Sequence, residues 1–121
     1  MSWGWLLGYR FFRAEMAPVG DEGPLPGAGL LHLGSTACSG NPQAGTVVCT
    51  NPNRNQIRLD GFDVGTNRIV ADVGALFENT DLSEDSLCHS TGEYCAGPFS
   101  SLGIDLASGA PSETQTFFRV E

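Results

Sequence analysis

The run LLHLGSTAC at residues 30–38 sets the architecture of this chain. Residues 30–35 are a short apolar segment ended by turn-forming Gly34, Ser35 and Thr36, and a run of this length between turn signals reads as a strand. Before it, residues 20–29 are dense in Gly and Pro and read as a turn. Further upstream, Trp3, Trp5, Leu7, Tyr9 and Phe11 recur at period two, with Leu6, Phe12 and Met16 on the other side. Aromatics at that period predict a strand over residues 2–17 with both faces partly covered. The first two strands therefore read as a hairpin.

On the C-terminal side, residues 36–53 read as an irregular loop held at Cys38 and Cys49. Residues 56–62 alternate Ile57, Leu59 and Gly61 against Arg58 and Asp60, the pattern of a half-buried strand. Residues 63–67 are a turn, and residues 68–73 (RIVADV) are another strand. The character then changes. Residues 74–79 suit a single helical turn, residues 80–85 (TDLSED) offer N-cap side chains for short helices, and residues 98–102 suit a further turn of helix. Residues 115–120 (QTFFRV) close the chain as a strand. The expected fold is mainly β: an antiparallel, sandwich-like sheet with cross-linked loops and short helical turns.

The four cysteines, Cys38, Cys49, Cys88 and Cys95, fall into two close pairs. Four cysteines allow three connectivities. Local pairing would close two loops rich in Gly, Pro, Asn, Ser and Thr, each closure adding roughly 2–3 kcal/mol in the loop-entropy model. Four free thiols in a reducing compartment are the alternative. A cysteine metal site fits worse, because no C-x-x-C is present and the spacing suits no common ligand set. Disulfides would place the protein in an oxidising compartment.

With 121 residues the chain has room for one domain. Lysine is absent, and six arginines against fourteen carboxylates give a net charge of -8. That balance disfavours nucleic acid and anionic membranes, whose phosphates need a basic surface. No run reaches the ~18 apolar residues of a membrane span. The first residues lack the basic and long apolar regions of a signal peptide, and the aromatic segment begins with no polar lead-in. The start thus reads like the middle of a domain.

The catalytic inventory is thin: no G-x-S-x-G, no H-E-x-x-H and no phosphate-binding glycine motif. The segment 60–63 (DGFD) fits a turn better than a calcium loop, since downstream acidic ligands are missing. His32 lies among leucines, so its imidazole needs a partner: a buried unpaired polar group costs roughly 1–3 kcal/mol. By pattern alone it is a hydrogen-bonded core histidine with metal ligation as the competing role. His89, beside Cys88 in a polar loop, reads as an exposed side chain. Trp3 and Trp5 would share a strand face, and pattern alone makes them core aromatics.

Three stretches add to this reading. Residues 1–13 (MSWGWLLGYRFFR) resemble the M-x-W-x-W-x-x-G-Y-[KR]-[FY]-x-[RK] segment of the MbnP-like, or metallo-mystery pair four-Cys motif, proteins. Residues 32–38 (HLGSTAC) resemble that family's H-L-G-S-T-x-C. Residues 49–54 (CTNPNR), with the strands after them, resemble its C-x-N-P-N-R block. The resemblance covers nearly the whole chain with the motifs in order. It implies a periplasmic or secreted copper-binding protein that is not an enzyme. It also implies a partner, a dihaem cytochrome c peroxidase of the MbnH/MauG type, which oxidises a tryptophan of the W-x-W segment to kynurenine. Carried onto this chain, the candidates are Trp3 or Trp5 for oxidation and His32 for copper ligation. Family members carry a signal peptide and a substantial segment before the W-x-W strand. Residues 1–121 are accordingly expected to form the C-terminal part of one MbnP-like domain. The competing reading is a disulfide-stapled β-module with a structural or interaction role and no metal.

Overall fold

The computed structural model describes residues 10–112 and 114–121. Nine strands run through them: β1 (Arg10–Met16), β2 (Val19–Gly20), β3 (Gly23–Pro24), β4 (Gly29–Gly34), β5 (Thr36–Ser39), β6 (Val48–Asn51), β7 (Ile69–Ala71), β8 (Ser86–Cys88) and β9 (Phe118–Val120). Two short helices, α1 (Val73–Phe77) and α2 (Ala96–Leu102), and 3-10 turns at Pro42–Ala44 and Glu93–Cys95 complete the order. No helix among the described residues is long and apolar enough to cross a membrane.

β4 is the middle strand of the largest sheet, flanked by β1 and β8. It pairs antiparallel with β1 from Met16↔Gly29 to Arg10↔Gly34, as the expected hairpin requires. The turn region between them holds a small hairpin of its own, β2 with β3. The upstream half of the expected first strand, with Trp3 and Trp5, lies outside the described residues. On its other edge β4 pairs with β8 in parallel, Gly29↔Ser86 through Leu31↔Cys88. Parallel strands need a long crossover, and here residues 35–85 supply it.

Strand alternation puts Phe12, Ala14, Met16, Leu31 and Leu33 on one face of this sheet. That face meets α1, α2 and the C-terminal segment. Leu31, Leu33, Leu76, Phe77, Phe99, Leu102, Ile104 and Phe117 form the buried core with Cys88 and Cys95, and Phe12, Ala14 and Met16 pack against it. Gly29 has no substitute here: a Cβ would come within 2.9 Å of Met16 Cγ and 3.0 Å of the Phe77 ring. Asp72 starts α1, its Oδ1 accepting from the Ala75 amide at 3.1 Å. The same carboxylate also takes a hydrogen bond from Arg119 of β9, which pairs antiparallel with β7. Cap and ion pair together fix the helix to the closing strand.

The mainly β, stapled expectation holds, with both disulfides local: Cys38–Cys49 and Cys88–Cys95. Three segment expectations are corrected. Residues 36–53 are chiefly a hairpin and not an irregular loop: β5 pairs with β6, and Cys38 faces Cys49 across it. The irregular chemistry is confined to the tip, where Asn41 Oδ1 caps the 3-10 turn through the Gln43 amide and Gly45 is left-handed. Residues 56–62 form no strand. Their exposure alternates as expected, with Ile57 and Leu59 half-buried, but no strand among the described residues pairs with them in a ladder. Residues 80–85 start no helix either. Asp81 Oδ1 instead accepts from the Ser83 amide in a local turn, and the Ser86 amide bonds the Ala28 carbonyl, drawing the chain into β8. Tertiary pairing with β4 thus overrides the local capping signal.

Asn53 braces the end of β4. It is fully buried and left-handed at φ 48, and its Nδ2 donates to the Gly34 carbonyl at 2.8 Å. Substitution Asn53→Ala leaves that carbonyl without its donor and keeps an unfavourable backbone. The expected loss is about 1–3 kcal/mol in urea unfolding; a change below about 0.5 kcal/mol would match an ordinary surface site instead. For the staples, non-reducing peptide mapping should recover Cys38 linked to Cys49 and Cys88 linked to Cys95. A Cys38–Cys88 peptide would contradict the fold.

Candidate functional site

The sheet face opposite the core carries Arg13 and Glu15 from β1 and Leu30 and His32 from β4. His32 is only 8% exposed although it points away from the core. Its Nε2 lies 2.8 Å from Glu15 Oε1. Arg13 grips the same carboxylate with two hydrogen bonds, Nε to Oε1 at 2.7 Å and a terminal nitrogen to Oε2 at 2.6 Å. The hydrogen bond from Arg13, then that from His32, hold the Glu15 carboxyl down at about 2. It is therefore an anion at any physiological pH.

β8 approaches from the other edge. Its register ends at Leu31↔Cys88, and one residue further along His89 comes beside His32. The two imidazole centroids are 5.1 Å apart, edge to face at 64°. Residue His89 is exposed overall, yet desolvation of its ring lowers its pKa, and the Arg10 charge, with that of the His32 ring whenever it is protonated, acts in the same direction. A lowered value keeps this imidazole neutral and its lone pair available for a ligand.

Ser90 fixes the pair from behind. It is buried and left-handed at φ 71. Its hydroxyl donates to the His32 carbonyl at 2.6 Å and accepts from the Gly34 amide at 2.8 Å. One side chain thus continues the β8 edge past the end of its backbone ladder. The Cys88–Cys95 disulfide anchors the same segment two residues upstream.

His32 was expected to be either a hydrogen-bonded core histidine or a ligand. It has one satisfied nitrogen, Nε2, while Nδ1 is buried with no partner among the described residues. Trp3 and Trp5 lie outside the described residues. All four cysteines are in disulfides, so none is a thiolate ligand. No group of three or more His, Cys, Asp or Glu side chains is placed to hold a metal ion among the described residues. The structure joins to His32 two residues that the sequence reading did not select as site residues, Glu15 and His89. Glu15 was within reach, because the hairpin pairs β1 with the strand bearing His32. His89 was not, because nothing local announces a parallel partner for β4.

A family model described as MbnP matches residues 1–90. Among solved structures the chain is similar to MbnP from Methylosinus trichosporium, at 32% sequence identity and a TM-score of 0.79. That likeness covers 99% of this chain and 49% of the other, so the chain spans about half the length of that protein. Comparison with curated proteins gives no match.

The Ser90 bridge yields a direct test of how the site is held. Ser90→Ala leaves the His32 carbonyl and the Gly34 amide unpaired, and the expected cost is about 1–3 kcal/mol in chemical unfolding. The backbone resonances of His32 and Gly34 should shift as well. Unchanged stability and unchanged resonances would show that the hydroxyl holds nothing.

Proposed function

The chain belongs to the MbnP family, and on that premise we propose that it is an extracytoplasmic copper-binding protein, itself not an enzyme. Membership suggests a protein of a methanobactin-related system. The two disulfides and the lack of a membrane-crossing helix among the described residues are compatible with a periplasmic or secreted protein.

The observation that carries the reading is the buried Nδ1 of His32, an imidazole nitrogen without a protein partner among the described residues, beside the second imidazole of His89. Imidazole nitrogen suits copper(II), and His32, with His89 next to it, would hold the ion. The fit is of donor type, not of a finished ligand set. Copper when bound is a ligated ion, with no substrate to transform.

The remaining donors come from tryptophan chemistry. Trp3 or Trp5 is the residue oxidised by a dihaem MbnH/MauG-type peroxidase, with two molecules of hydrogen peroxide, each reduced to water, as the four-electron oxidant. The indole C2–C3 bond breaks, C3 becomes a ketone, and the C2 carbon leaves as formate after hydrolysis. What remains is kynurenine, an aromatic amine beside a ketone, a nitrogen and oxygen pair that indole lacks.

Co-expression with such a peroxidase, followed by intact-mass and peptide analysis, should find one tryptophan with one carbon fewer and one oxygen more, together with new near-ultraviolet absorbance. The modified protein should bind copper, and His32→Ala should weaken that binding by at least about tenfold. If both tryptophans stay intact and copper does not bind, the chain is a stapled β-module without metal.

A further inference from the structure

We propose that Glu15 is a positioning residue: it holds His32 as the Nε2–H tautomer, so that Nδ1 carries the lone pair offered to a metal ion. The metal half of this statement rests on the copper reading above; the tautomer half stands on the geometry alone.

The argument begins at one oxygen. Glu15 Oε1 sits 2.8 Å from His32 Nε2 and 2.7 Å from Arg13 Nε. Arg13 can only donate, so Oε1 is an acceptor at this point. Oε2 accepts the second Arg13 bond at 2.6 Å, so both oxygens are acceptors in a bidentate ion pair with the guanidinium, the geometry of an ionised carboxylate. An ionised carboxylate has no hydrogen to give. The hydrogen in the His32–Glu15 contact must therefore be on Nε2.

A neutral imidazole has a single N–H. With that hydrogen on Nε2, Nδ1 is bare, and it is the nitrogen that is buried without a partner among the described residues. In the other tautomer two things would go wrong together: a bare Nε2 would face a carboxylate, and an Nδ1–H would be buried with no acceptor there. Metal-binding histidines commonly donate their second ring N–H to a carboxylate, which fixes tautomer and ring orientation and raises ligand basicity. The Arg13–Glu15–His32 chain has that form. Two β1 side chains, both facing away from the core, thereby orient a ring on β4.

The tautomer is readable without copper. The metal-free chain, labelled with nitrogen-15 at histidine, is examined by long-range proton–nitrogen correlation at mildly alkaline pH. His32 should show a protonated Nε2 and a bare Nδ1. Glu15→Ala should give a mixture of both tautomers, and Glu15→Gln should restore Nε2–H, because its carbonyl oxygen can take the place of Oε1 between the two donors. Copper(II) titrated into the peroxidase-modified protein should bind Glu15→Ala about 10–100-fold more weakly than the parent, with Glu15→Gln recovering most of the loss. A protonated Nδ1 in the parent, or an unchanged Nε2–H population in Glu15→Ala, overturns the assignment. Should Glu15→Ala fail to fold, the parent spectrum with Glu15→Gln still decides it. If the parent shows the Nε2–H tautomer but its peroxidase-modified form takes up no copper, the copper reading falls and the role of Glu15 in orienting the ring stands.

Discussion

The structure depends on β4 being paired along both edges. Its antiparallel edge to β1 could form locally, after a short turn. Its parallel edge to β8 could not, because the chain must first travel through residues 35–85 and return. Closing so long a loop costs conformational entropy before any contact is gained. Three features offset that cost at the point of return. The Ser86 amide bonds the Ala28 carbonyl, Cys88 is buried and tied to Cys95, and Ser90 bonds both His32 and Gly34. Without β8 the Leu31 side chain would lose Cys88 beside it, and His32 would lose His89.

The two staples act on this strand in different ways. Cys38–Cys49 crosses the β5–β6 hairpin just beyond the end of β4. At the base of that hairpin, just after β6, Asn53 donates to the Gly34 carbonyl. Cys88–Cys95 joins β8 to the 3-10 turn that leads into α2, and both sulfurs are in the core. Reading the cysteines as scaffold and not as ligands therefore agrees with where they lie. One staple secures the exit of the strand bearing His32, and the other secures the strand that brings His89.

Much of this was legible in the chain. Period-two aromatic spacing pointed to β1, a short apolar run between turn signals pointed to β4, turn residues between them implied their hairpin, and close cysteine spacing favoured the two local disulfides. The failures have physical causes. Alternation at Ile57 and Leu59 correctly forecast alternating exposure, but a strand also needs a partner edge, which pattern alone does not supply. Capping residues at 80–85 stated a local preference that the pairing of β8 with β4 overrode. For the site, His32 was conspicuous because an imidazole among leucines needs an explanation. Nothing in the pattern singled out Glu15, and His89 read as an exposed loop side chain. Their roles come from register on opposite edges of β4, a long-range property that no window of sequence contains.

The burial of His32 is the observation on which the proposed site rests. A histidine kept only for packing would be expected to satisfy both nitrogens, since each unpaired buried polar group costs about 1–3 kcal/mol. Here one nitrogen has a clamped anion and the other has nothing among the described residues. The satisfied side is also overbuilt: Arg13 spends both of its hydrogen bonds to Glu15 on orienting the carboxylate that orients the ring. His89 adds a second ring whose protonated form is disfavoured first by desolvation and then by nearby positive charge, that of Arg10 among it. Two imidazoles kept close, one oriented and the other biased to neutrality, would repel each other if both were protonated, whereas as neutral rings they make an edge-to-face contact. On the copper reading proposed above, the ion would bind on the outward face of the sheet, where β1, β4 and β8 converge and the apolar core is not disturbed.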